Sequence, residues 1–226
     1  MVEYISESAS KAKRNLDQYS LFQVIPIYMK DPLSDGVDIL KVIDDVEARV
    51  PQRTTQGVEA LYVGHFKEFD DRGINAMFKD GAIYVSNSQD NEADMVDDII
   101  HEVAHAAEET HAADIYSSGE IQREFIGKRK RLESLLVEYG YLNNIDLDFS
   151  NVEYSRKFDS FMNDELGYEK LESLILGLFL RPYSVTDIRE YFATSFEEYL
   201  YGNRDYLKKI SPVAYTKVHL VCTGEV

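Results

Sequence analysis

The chain has 226 residues, with 41 acidic side chains against 24 basic ones and a formal net charge of −17. That balance disfavours phosphate backbones and anionic lipid, whose binding depends on counterion release through Lys and Arg. The lone Cys222 excludes an internal disulfide and a cysteine-built zinc site, which leaves His, Asp and Glu for any metal.

No run of about 18 apolar residues is present, and Met1 to Arg14 contains no apolar stretch of the signal-peptide kind. The expectation is a cytoplasmic protein, of a cell or of its host, that engages neither membrane nor nucleic acid. In chain order, Ser6 to Gln18 is compatible with a helix, and Leu21 to Met29 is β-branched and aromatic enough for a strand. Ile39, Val42, Ile43, Val46 and Val50 recur at helical spacing until Pro51 stops them, predicting an amphipathic helix over Asp38 to Arg49. Strands are expected at Glu59 to Phe66 and Ile74 to Phe78, and Lys79-Asp80-Gly81 turns straight into a further strand, Ala82 to Ser86. The polar cluster Asn87 to Asn91 supplies caps for a long helix from Glu92 to Thr110.

From Ile121 onward the pattern is helical: Ile121 to Tyr139, Arg156 to Met162, Tyr168 to Leu180, Thr186 to Tyr201, and a last helix near Tyr206. The basic run Gly127-Lys128-Arg129-Lys130-Arg131 reads as a solvated helix face. Strands first and helices second indicate an α+β fold, and the absence of repeats or linkers indicates one domain over residues 1–226.

His101-Glu102-Val103-Ala104-His105 is an HExxH sequence. On a helix its histidines stand one turn apart, about 6 Å between side-chain roots, so both imidazoles can reach one ion. Met95, Val96, Ile99, Ile100, Val103, Ala106 and Ala107 share the opposite face and anchor the helix. Glu102 falls at the edge of the histidine face, where it would meet a metal-held water instead of the metal, the place for a general base. A catalytic zinc wants three protein ligands and an open position. Glu108, Glu109 and His111 lie roughly 10 to 15 Å along the helix from His101, too far to share the ion. Asp97 and Asp98 suit partners that orient an imidazole ring. The third ligand must therefore come from another helix. Glu190 is a candidate: it flanks the apolar stripe Phe192, Phe196, Tyr199 and Leu200 and neighbours the small Ala193. On pattern alone it is equally a surface glutamate beside a core stripe.

The HEVAH helix, followed by Tyr183, six residues, and Glu190-Tyr-Phe-Ala-x-x-Phe, resembles the catalytic domain of anthrax lethal factor and the related Pro-Pro endopeptidases. The resemblance spans roughly residues 60–110 and 183–200. It implies a zincin-like fold, a small mixed sheet followed by the HExxH helix and a mostly helical C-terminal half. It also implies a Zn2+ ion held by His101, His105 and Glu190, with Tyr183 stabilising the oxyanion. Finally, it implies an extended peptide substrate bound by β-augmentation along Ala82 to Ser86. Between His105 and Glu190 lie 84 residues, so about 121–180 is expected as a helical insertion that covers the cleft, sets specificity or recruits a protein partner. Thr194-Ser195 stands where relatives can carry an acidic residue.

The expected function is a zinc-dependent endopeptidase in which a zinc-activated water attacks the peptide carbonyl and Glu102 is the general base. One rival is a structural or assembly protein, for instance of a phage particle, that keeps the fold; the 16 tyrosines suit such interfaces. Another is a regulatory metallopeptidase that cleaves one repressor. A structural zinc site has no use for Glu102, which favours catalysis.

Overall fold

The computed structural model describes residues 19–142 and 145–225. The helix expected over Ser6 to Gln18 lies outside them. The described residues form two compact units, one up to Thr110 and one from His111 onward. The α+β expectation holds: the strands lie in the first unit and helices make up the second.

The first unit contains β1 (Tyr19–Leu21), β2 (Ile25–Met29), α1 (Ile39–Arg49), a 3-10 turn (Gln52–Thr55), β3 (Ala60–Gly64), α2 (Lys67–Arg72), β4 (Ala76–Lys79), β5 (Ala82–Ser86) and α3 (Glu92–Thr110). The strands form one mixed sheet in the order β1-β2-β3-β5-β4. Its outer pairs, β1–β2 and β4–β5, are antiparallel, and its inner pairs are parallel. Alternation along the strands buries Ile27, Leu61, Val63, Ile83 and Val85 almost completely. Burial on this scale contributes about 1.5–3 kcal/mol per large aliphatic side chain. On the other face Tyr28, Tyr62 and Tyr84 are cross-strand neighbours, stacked with ring centroids 5.0 and 5.2 Å apart.

Asp38 caps α1 by accepting the Leu40 amide. In α3, Met95, Val96, Ile99, Ile100, Val103, Ala106 and Ala107 are all buried, so this helix is anchored by the expected face. Asp80 and Gly81 both adopt positive φ, 51° and 78°, as the two-residue turn between β4 and β5 demands.

Two elements depart from expectation. Leu21 to Met29 is a hairpin instead of one strand, because Phe22 and Gln23 turn through the left-handed region at φ 52° and 60°. The Phe22 amide donates to the Glu47 carboxylate on α1, a tertiary contact that local sequence does not announce. Between β3 and β4 the chain also forms α2, closed by Gly73 at φ 65° and pinned by the buried Phe69.

The second unit contains α4 (Ala112–Tyr116), α5 (Glu120–Glu138), α6 (Arg156–Ser160) running into a π-helical turn (Phe161–Leu166), α7 (Tyr168–Ile175), a 3-10 turn (Pro182–Val185), α8 (Ile188–Tyr201), α9 (Arg204–Ile210) and α10 (Pro212–Thr223). The helix near Tyr206 is α9. The further helix α10 starts at Pro212, which as first residue sacrifices no helical hydrogen bond. Although α5 lies inside the stretch expected as an insertion, it shares its core with α8: the Phe125 and Tyr191 rings are 5.4 Å apart.

The basic run of α5 is not a solvated face. Gly127, Lys130 and Arg131 are exposed, but Lys128 and Arg129 are buried. Lys128 Nζ donates to Leu178 O at 2.6 Å and Ser211 Oγ at 2.8 Å, and desolvation pushes its pKa down to about 8. The Arg129 guanidinium lies 3.6 Å from the Phe158 ring centroid and donates to Asn151 O. One turn earlier, Glu124 accepts from Tyr191 Oη at 2.8 Å and from the Val213 and Ala214 amides at 2.9 and 3.0 Å, capping α10. Cys222 is buried and forms no disulfide among the described residues. Among the described residues no helix is long and apolar enough to cross a membrane.

Candidate metal centre

His101 and His105 project from α3 with their Nε2 atoms 3.2 Å apart and ring planes at 82°. Two ligands at about 2.05 Å on a tetrahedral ion stand about 3.3 Å apart, so this spacing fits two imidazole lone pairs converging on one centre. Glu190 lies in the first turn of α8. Among the described residues, His101, His105 and Glu190 form a group whose ligand atoms, one from each, lie within 4.8 Å of one another. Two imidazole nitrogens and a carboxylate oxygen are a donor set suited to zinc, three of the four that a tetrahedral ion takes.

The turn that carries Glu190 is well fixed. Asp187 Oδ1 accepts the Arg189 and Glu190 amides at 2.9 and 3.0 Å, Asp187 O accepts the Tyr191 amide, and Val152 O accepts the Ile188 amide. All four amides that begin the helix are thereby satisfied. Phe192, Phe196 and Tyr199 are buried in the expected stripe, and Ser195 Oγ turns back to Tyr191 O at 2.7 Å. Tyr183 sits on the 3-10 turn before α8 and is 44% exposed.

Glu102 is buried, and its Oε2 accepts the Phe78 amide of β4 at 2.5 Å. The general-base candidate is therefore docked on the outer edge of the sheet. That geometry corrects the expected substrate strand. Ala82–Ser86 is β5, paired on one side with β3 and on the other with β4, so it has no free edge to extend. On that side of the sheet the edge strand is β4, from which the chain folds back through the Asp80-Gly81 turn into β5.

Glu108 stands nearly buried with Oε2 3.5 Å from His105 Nδ1, where a carboxylate can hold the ring with Nε2 turned to the ion. The sequence signal was its position three residues after His105, one turn along the same face. Of the two aspartates expected to orient an imidazole, Asp97 is exposed, whereas Asp98 is partly buried and accepts from Gln89 Nε2 at 2.9 Å. Desolvation raises the Asp98 pKa to about 6; the Gln89 hydrogen bond opposes this and the Glu102 charge adds to it.

This shift gives a signed prediction. An acid whose folded pKa exceeds its unfolded value of 3.8 costs stability as pH rises between the two values, with the cost full above about 6. Asp98→Asn should therefore raise the melting temperature of the chelator-treated chain at pH 7, with the gain vanishing near pH 4. A gain of equal size at both pH values would show that the Asp98 charge is not its cause.

No protein-family model, curated protein or solved structure matches the chain.

Proposed function

We propose that the chain is a zinc-dependent endopeptidase of the zincin type, akin to the lethal factor catalytic domain, with His101, His105 and Glu190 as metal ligands. What supports this reading above all is the 3.2 Å approach of the two Nε2 atoms together with the grouping of Glu190 with them. A bound Zn2+ supplies a Lewis acid that polarises a carbonyl and lowers the pKa of water toward neutrality. Glu102 takes the proton of the attacking water and passes it to the leaving amine. Tyr183 donates a hydrogen bond to the carbonyl oxygen as negative charge develops there, an interaction of a kind that contributes about 3–4 kcal/mol. An extended substrate pairs with the β4 edge, beside Glu102.

The test is elemental analysis of wild type and Glu190→Ala purified without added metal. Equimolar zinc in the wild type and its loss from the variant are expected; full retention by the variant would remove Glu190 from the ligand set.

A second, compatible role is docking of a protein partner through the second unit. What favours it is a cleft lined by Tyr139 and Tyr141, both exposed, beside Lys170, where an aromatic-rich contact can form.

A further inference from the structure

A cleft of about 490 Å3 opens on the tyrosine face of the sheet at its β4 end, between α2 and the Asp80-Gly81 turn. Its walls are Phe66, Tyr84 and Met77, and Lys30, Lys67 and Lys79 stand around it. Phe66 meets Tyr84 edge to face at 5.5 Å, and Lys30 Nζ lies 4.7 Å from the Phe66 ring centroid.

The charge arrangement is unusual for this chain. With 41 acidic side chains against 24 basic ones, a lysine has carboxylates in excess to pair with. Yet none of these three ammonium groups makes an ion pair or a hydrogen bond among the described residues, whereas Glu68, on the same wall, is tied to Arg72 at 3.1 Å. Asp80 is the one remaining acid of the lining. The cleft thus offers an aromatic wall and a surplus of positive charge within a strongly negative molecule, a combination that suits an acidic side chain with an apolar neighbour.

Position decides what kind of molecule brings that side chain. Met77 and Lys79 belong to the edge strand, and they pair inward with Tyr84 and Ala82 of β5. A peptide paired to the outer edge of β4 places alternate side chains on the tyrosine face, over the cleft.

We propose that this cleft selects acidic peptide segments: an aspartate or glutamate of an extended chain on β4, held by Lys30, Lys67 and Lys79 against Phe66. The inference rests on the endopeptidase reading for the role of the β4 edge and names the substrate class of that site.

The test uses an array of immobilised octapeptides in which each position is scanned through Asp, Glu, Gln and Lys, probed with the full chain carrying Glu102→Gln. Peptides with Asp or Glu at one position should be retained about tenfold better than their Gln counterparts, a difference of about 1.4 kcal/mol. Adding Lys30→Glu and Lys79→Glu should invert the preference toward Lys. The milder pair Lys30→Gln and Lys79→Gln should abolish it and guards against misfolding of the reversed variant. Retention without acid preference, a preference untouched by the lysine changes, or no retention of any peptide overturns the proposal. Cleavage of the same peptides by the wild type is scored separately. Cleavage without acid selection leaves the endopeptidase and removes the acidic cleft; acid-selective retention without cleavage does the reverse.

Discussion

Glu102→Gln should leave the metal content of the chain unchanged and lower peptide hydrolysis by about a hundredfold to ten-thousandfold, the range in which a positioned general base contributes. Glutamine has the volume of glutamate, and its amide oxygen can still accept the Phe78 amide, so the buried contact between α3 and β4 survives the change. What disappears is the second oxygen's ability to take a proton from water. Zinc analysis, a thermal melt and peptide turnover on the same preparation separate these effects. Retained turnover would remove Glu102 from the mechanism. Lost turnover together with lost zinc would show that the substitution disturbed the histidine pair instead.

Arg129→Met should destabilise the chain by about 3–5 kcal/mol, the cost of removing one partner from a buried charge cluster. Arg129 is completely buried beside the Phe158 ring, and desolvation pushes its pKa down to about 10, partly offset by the charges of Asp187 and Asp148. At neutral pH it remains a cation. Methionine fills much of its volume and keeps the ring contact, but strands the Asn151 carbonyl and removes a positive charge that favours the buried Asp187 carboxylate. Asp187 caps the turn that carries Glu190, and Val152, next to Asn151, accepts the Ile188 amide that opens the same helix. The loss should accordingly extend to zinc affinity. Urea unfolding with and without zinc measures both quantities, and Arg129→Lys, which restores charge without the planar fork, should recover part of each. A change below about 1 kcal/mol would mean that the cluster is dispensable.

Much of the candidate site is legible in the sequence. The spacing of His101 and His105 is a property of any α-helix, and the apolar residues of α3 show which face turns inward, so the histidine pair and its orientation follow from local sequence. Asp-Gly at residues 80–81 marks its turn because those residue types tolerate positive φ. The same logic misses the turn at Phe22-Gln23, where neither residue favours the left-handed region and the contact to Glu47 on α1 accompanies it.

Composition, periodicity and the HExxH spacing determined the α+β class, the helix that carries the histidines and the glutamate beside them. Those features depend on residues within a few positions of one another. The tertiary structure alone decided three others. It placed β4 and not β5 at the sheet edge, because strand order follows from crossover connections and not from strand sequence. It buried Lys128 and Arg129, because a basic helix face is solvated or buried according to what packs on it, and here Phe158, Leu178 and Ser211 do. It grouped Glu190 with the histidines, because a residue 85 positions beyond His105 comes near them only through the fold of what lies between.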